Sequence, residues 1–369
     1  VRPASASLGV ALALSVLAAC EHPRPFGAPD LGANVPFSQD FPRQLTFSAS
    51  SDREPFWLPD GSGIIYSYQR LDRPDHDRCL GILPPEGGQR VRTICHVPPV
   101  ADADSTNALW SPVVGPGGVL AYVRESSPPG SRAPASRELV VASLTAPDPG
   151  RVVLRFPYAA PDGTTQGSAA YLRWVDARTL LYLAVQVTYN TDTVPPDTVL
   201  TPIEIVRLRL SGDSATVVPL PNTVGATSLA VAGIDTVYFT LPADSVVYAV
   251  DLAGGPRAVA HDFRALGPVS DVQRQDGRLF VVAGHETGLG LGGDVYVLDP
   301  GTDTVAMLDG VPADPDLYIW YRHPAVSDFG ARVAAEAYRV IKVPHCIGEG
   351  CIIDTVVTRG ADLWLLRVP

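Results

Sequence analysis

The side chains best able to bind or react fall where short strands are predicted to begin. Asp52, Arg53 and Glu54 stand together. Further along come Asp104, Thr106 and Asn107, then Gln166 and Ser168, Thr227, Asp271, and Asp314 with Asp316. Carboxylates dominate this set, and carboxylates suit a divalent cation or a basic segment of a partner. As strand-start residues they could equally form a solvated rim. His285-Glu286, inside the glycine-rich stretch Gly284 to Gly293, has the donors for acid/base work or metal ligation, but reads as an exposed loop. His76, His96, His323 and His345 form no spaced ligand set. No G-x-S-x-G elbow, phosphate-binding glycine loop or H-E-x-x-H helix occurs. The expectation is a protein with no catalytic residues, no cofactor and no metal of its own.

Composition narrows what can position these groups. The chain has 369 residues, with 36 prolines and 33 glycines. Proline is poorly tolerated inside helices and central strands, so this content implies many turns. The net charge of −11 argues against non-specific nucleic-acid binding and against adhesion to anionic headgroups through protein charge. Helical periodicity is almost absent; short apolar runs alternate with Gly, Pro, Asp and Asn.

One pattern recurs six times: a strand ending near an aromatic or apolar anchor, a short turn, a strand ending in Tyr or Phe, a variable loop, a strand of alternating Val and Leu, a turn and a last strand. The first copy runs from Phe56-Trp57 through Asp60-Gly61 to Tyr66. The second is Leu109-Trp110-Ser111-Pro112, a longer turn, then Val119 to Tyr122. Later copies are centred on Trp174 and Tyr182, Leu229 and Tyr238, Val272 and Phe280, and Tyr321 and Ala335. The third strands align at 78–83, 138–144, 204–210, 246–252, 294–298 and 362–368. This spacing is that of propeller blades, and stacked blades bury both faces of a sheet that could not bury them alone. The predicted fold is all-β: a six-bladed β-propeller of four-stranded antiparallel blades. The last blade lacks its fourth strand, and Arg43 to Phe47 is placed to supply it, so the N-terminal strand closes the ring. Ser126–Arg137 and Tyr189–Pro202 read as long loops at equivalent places in their blades.

Trp57-Leu58-Pro59-Asp60-Gly61 and Trp110-Ser111-Pro112 resemble the W-S-P-D-G signature of TolB-type, WD-like propellers. The similarity spans residues 43–369 and implies fold more than function. TolB itself carries an N-terminal α/β domain, for which residues 20–42 are too few, so a literal Tol–Pal role does not follow.

Residues 1–19 read as a signal peptide: Arg2, an apolar core too short to span a bilayer, and small residues at its end. Leu17-Ala18-Ala19-Cys20 is similar to the lipobox of bacterial lipoproteins. That resemblance implies cleavage before Cys20 and a lipid on its thiol. Residues 20–42, rich in Pro, Gly and Ala, suit a flexible tether, leaving 43–369 for the propeller. The other four cysteines fit an oxidising compartment. Of three possible pairings, Cys79–Cys95 across a predicted hairpin and Cys346–Cys351 across a tight loop are the most economical. A metal site of Cys346 and Cys351 with His345 is the alternative.

These features together predict an exported lipoprotein anchored through Cys20, facing periplasm or cell surface. It would be a monomer and a non-enzymatic scaffold for an envelope protein or peptide. The rivals are a propeller enzyme (a lyase, lactonase or glycan-acting protein) using a channel-bound divalent metal, and a small-ligand or glycan sensor with aromatics such as Tyr318 and Trp320 at the channel mouth.

Overall fold

The computed structural model describes residues 41–47, 51–71, 77–96, 106–127, 136–156, 165–190, 197–287, 290–308, 317–327, 330–347, 350–357 and 361–369. For residues 106, 189–190, 197–198, 285–287, 290–291, 317–318, 340–347 and 350–357 it describes the backbone alone. After β1 (Arg43–Gln44), blade 1 comprises β2 (Asp52–Trp57), β3 (Ile64–Gln69), β4 (Arg78–Leu83) and β5 (Arg92–Ile94). Blade 2 comprises β6 (Thr106–Gly115), β7 (Val119–Ser127), β8 (Ser136–Ser143) and β9 (Ala146–Arg155). Blade 3 is β10 (Thr165–Trp174), β11 (Thr179–Asn190), β12 (Asp197–Ser211) and β13 (Ser214–Pro219). Blade 4 is β14 (Ser228–Ala232), β15 (Thr236–Thr240), β16 (Val246–Asp251) and β17 (Ala258–Asp262). Blade 5 is β18 (Val269–Gln275), β19 (Arg278–Thr287), β20 (Gly290–Asp299) and β21 (Thr304–Met307). Blade 6 contains β22 (Leu317–Val326), β23 (Arg332–Ile347) and β25 (Asp362–Arg367), with β24 (Gly350–Val357) folded back on β23.

Each blade is an antiparallel meander, and its first strand lies innermost. The inner strands touch in a closed circle, β2 to β6 to β10 to β14 to β18 to β22 and back to β2. The hydrophobic cores follow from period-2 alternation, which sends successive side chains to opposite faces of a sheet. On β3, Ile64 and Tyr66 pack toward blade 6, while Ile65 between them packs toward blade 2. On β19, Phe280 and Val282 face blade 6 and Val281 faces blade 4. The result is one apolar cluster at each of the six junctions between blades. The protein is a six-bladed propeller.

The ring closes as the strand count requires. β1 pairs with β25, Arg43 opposite Leu365 and Gln44 opposite Trp364. The Leu45 N–H donates to the Leu363 carbonyl at 2.7 Å, and the Leu363 N–H donates to Thr46 Oγ1 at 2.9 Å. Trp57 Nε1 donates to the Ala325 carbonyl at 2.9 Å, tying blade 1 to blade 6. Glu86, in the turn after β4, takes Arg43 at 3.0 Å and also pairs with Arg332 of blade 6. The predicted Asp-Gly turns form: Gly61 at φ 69° follows β2, and Asp276-Gly277 (φ 49° and 78°) joins β18 to β19, as a tight hairpin of this twist demands.

Three sequence readings change. Trp110-Ser111-Pro112 does not correspond to Trp57-Leu58-Pro59. It lies inside β6, with the turn at Pro116–Gly118, and Val114 stands where blade 1 has Trp57. The motif match ignored strand register. Tyr189–Pro202 is not a loop throughout, because β11 and β12 stay paired out to Asn190 opposite Asp197. Gly284 to Gly293 is likewise paired, His285 opposite Gly292 and Glu286 opposite Leu291, so the His-Glu pair sits in strand rather than loop; its side chains lie outside the described residues. Glycine lowered the apparent strand content there without breaking the ladder. Cys79 and Cys95 are disulfide-bonded. Cys346 stands opposite Cys351 across β23 and β24, but their side chains, like that of His345, lie outside the described residues.

Candidate binding site at the ring axis

Four inner strands break register at the same level. The breaks fall between Arg53 and Phe56, Trp110 and Val113, Ala170 and Arg173, and Arg322 and Ala325. In each break one residue takes left-handed backbone: Glu54 (φ 54°), Ser111 (49°), Tyr171 (51°) and His323 (45°). Such a conformation costs about 1–3 kcal/mol outside glycine and persists only where the surroundings enforce it. Proline follows in three of the four, at Pro55, Pro112 and Pro324. A proline cannot donate to a ladder, so within a sheet it belongs at a bulge. Blade 4 has no such break, and its β14 pairs regularly with β15.

The kinks turn these four side chains toward one recess, lined also by Leu172 and Arg173, with a free volume of about 30 Å³. That is room for a water or the head group of a small ion. The kinks also release backbone N–H groups from the ladders, and carboxylates take them up. Glu336, on β23 and wholly buried, accepts the Glu54 N–H at 2.6 Å, His323 Nδ1–H at 2.6 Å and the Tyr338 hydroxyl at 2.8 Å. Glu54 in turn accepts from the Ser111 N–H at 2.5 Å and the Ser111 hydroxyl at 3.1 Å. Asp271 accepts the Tyr171 hydroxyl at 2.5 Å and the His323 N–H at 3.3 Å. The Tyr171 and His323 rings meet edge to face at 4.9 Å.

The electrostatics follow from that packing. Burial alone would lower the His323 pKa, but the Glu336 charge and hydrogen bond, helped by Asp271 and Glu54, raise it to about 9. Burial would raise the Glu336 pKa, but His323 and the other donors hold it well below the usual carboxylate range. The buried Tyr171 phenol is pushed up, by burial first and then by Asp271. His323 is therefore an imidazolium and Glu336 a carboxylate at neutral pH. Arginines complete the cluster, Arg53 among them, whose charge helps hold the Glu336 carboxyl down. Arg78 donates to the Ser51 carbonyl at 2.7 Å and to the Ser67 hydroxyl at 3.0 Å, with its guanidinium 4.3 Å from the Trp110 ring centre. Arg173 donates to the Leu172 carbonyl at 2.8 Å, and burial lowers its pKa to about 10. Arg322 sits beside Tyr338.

Of the residues singled out from sequence, Glu54 and Asp271 belong to this cluster, and Asp52 lies fully buried at the start of β2. Arg53 donates to Ser51 Oγ at 2.7 Å. Asn107 is held by Asp77 and Ser126, and Gln166 donates to the Phe156 carbonyl at 3.0 Å, both away from the recess. Thr227, Ser228 and Thr240 share hydroxyl hydrogen bonds in blade 4. Asp104, Asp314, Asp316 and the side chain of Tyr318 lie outside the described residues. The expected acidic ring is in fact mixed, because Arg78, Arg173, Arg322 and His323 stand among the carboxylates. Sequence reasoning missed Ser111, Tyr171, Arg173, His323 and Glu336 as site residues. The Xaa-Pro steps inside otherwise regular strands were the signal that could have found two of them.

No protein-family model matches the chain, and no curated protein matches it. Among solved structures it is similar to U3-55K (11% identity, TM-score 0.48, covering 88% of this chain and 98% of that one). It is similar also to oligogalacturonate lyase in complex with manganese (15%, 0.46, 89% and 93%) and to TolB from Acinetobacter baumannii (17%, 0.44, 84% and 65%). The assignment of this chain as a six-bladed propeller stands on its own closed circle of inner strands and six interblade cores.

Proposed function

We propose that this propeller is a binding scaffold of the bacterial cell envelope, anchored through a lipid on Cys20 and engaging a protein or peptide partner on the face where its inner strands begin. The observation that carries the binding reading is the axial recess, where rigid inner strands of four different blades aim polar groups at one point. Its acids are held by internal donors rather than left for proton transfer, which suits recognition better than acid/base chemistry. The face where the inner strands begin carries hairpins that outrun them. In blade 5 the inner strand begins opposite Ala283, while β19 and β20 continue to Thr287 opposite Gly290. In blade 6 the inner strand begins opposite Ile341, while β23 and β24 continue to Ile347 opposite Gly350. These projections suit a rim around a partner. The sequence around Cys20 supports the anchor.

The test is crosslinking and capture of the lipidated full-length protein from its native envelope. Recovery of one specific envelope protein, lost when the β19–β20 and β23–β24 tips are shortened, supports the reading. Capture that is unaffected by both shortenings, or no capture, overturns it.

A further inference from the structure

The left-handed residues obey a rule with one exception. The Glu54 N–H of blade 1 is bound by Glu336 of blade 6, the Ser111 N–H of blade 2 by Glu54 of blade 1, and the His323 N–H of blade 6 by Asp271 of blade 5. Each kink is thus filled by a carboxylate from the preceding blade. Tyr171 of blade 3 breaks the rule. At the place where blade 1 carries Glu54, blade 2 carries Ser111, and no side-chain acceptor meets the Tyr171 N–H among the described residues.

The cations show the same gap. Arg173 makes no ion pair among the described residues; its Nη1 reaches only the neighbouring Leu172 carbonyl, and its buried Nε has no partner. His323 commits Nδ1 to Glu336, and no hydrogen bond engages Nε2 among the described residues. Ser111, Tyr171, Arg173 and His323 all line the recess, whose free volume of about 30 Å³ matches a head group rather than a whole ligand. The other charge on the wall, Glu54, has both oxygens on Ser111. Asp271 and Glu54 act on Arg173 only at a distance, and a guanidinium whose buried Nε has no partner is costly, so an anion delivered there gains a direct pairing that the described residues do not make.

We propose that the recess binds a carboxylate group from outside the chain, seated between blades 2 and 3 where the internal carboxylate is missing, with the Tyr171 N–H and the Arg173 guanidinium as donors. This deepens the binding reading by naming the chemistry that enters the axis. The carboxylate could belong to a free small acid or to an acidic side chain or terminus of a partner.

The experiment titrates the full chain with acetate, N-acetylglycine and, as the uncharged control, N-acetylglycinamide, by calorimetry and by melting midpoint. Saturable binding of either acid and none of the amide is expected. Arg173→Met should weaken it by at least ~10-fold. Ser111→Glu places a carboxylate where blade 1 carries one, on backbone that Glu54 already tolerates at nearly the same φ. It should abolish acid binding and raise the ligand-free melting midpoint. This second variant decides the matter if Arg173→Met does not fold. Equal binding of acid and amide, no saturable binding, or wild-type acid affinity in folded Ser111→Glu overturns the proposal. Acetate bound more tightly than N-acetylglycine identifies a free small acid as the source; the reverse identifies a chain terminus. Capture of an envelope partner without any acid binding overturns the carboxylate site and leaves the scaffold reading standing.

Discussion

Tyr171 and Asp271, 100 residues apart in sequence, join blade 3 to blade 5 through a 2.5 Å hydrogen bond that bypasses blade 4. The phenol donates to a buried carboxylate that also holds the His323 N–H. Tyr171→Phe removes that donor and keeps the ring. Hydrogen bonds to charged groups contribute about 1.5–3 kcal/mol, so urea unfolding should show a loss of that order, with an unchanged dependence on urea concentration.

The His323–Glu336 pair makes stability depend on pH. The His323 pKa rises from 6.5 to about 9 on folding. Its contribution is therefore complete below about pH 6.5 and is lost as pH rises through 9. The Glu336 shift has the opposite sense, so its contribution is present above the ordinary carboxylate range and lost in acid. Urea midpoints should fall from neutral pH to pH 9.5 in the wild type, and His323→Gln should flatten that alkaline slope.

Ring closure depends on a short strand. Leu45 is 1% exposed and packs with Trp57, Leu363 and Leu365 between blades 6 and 1. Leu45→Ala should cost about 2–5 kcal/mol. Loss should fall on blade 6 first, seen as faster amide exchange in β25 than in β12.

The Cys79–Cys95 bridge closes a loop with a sequence separation of 16. Replacing both cysteines by Ser should lower stability by about 3 kcal/mol, the value for a loop of about 15 residues. Reduction of the wild-type protein should produce the same change in midpoint, which a purely local packing effect of the substitutions would not.

The anchor is tested at Cys20. Cys20→Ser should yield a folded propeller in the soluble fraction, with a near-native far-ultraviolet spectrum. Retention in the membrane fraction would count against a lipid at that residue.

The fold was legible because its rules are local or countable. Asp60-Gly61 marks a hairpin by turn chemistry, and Gln44-Leu45-Thr46 was placed on the last blade by asking which strand lacked a neighbour. The axial cluster was harder to read. Residues near the strand starts include Glu54 and Asp271 but not Tyr171 and His323, because β2 begins two residues before its kink whereas β10 and β22 each run six residues before theirs. Glu336 was invisible for another reason. It sits in the second strand, within the apolar run Val333 to Ala337, where a lone charge reads as an outward-facing residue. Only the register that brings it under His323 reveals its partner.

The carboxylates that span neighbouring blades bear on how this lineage can change. Glu336, Glu54 and Asp271 each fill a kink in the next blade along, and each does so from a different sequence context. The six units are therefore not interchangeable tiles. Inserting or removing a blade at the 6–1, 1–2 or 5–6 junction would separate a carboxylate from its matching kink, leaving a buried charge with too few donors. Curvature alone would let a ring of this kind grow or shrink by a unit. Here three of the six junctions oppose it, because each is matched acid to kink across the axis.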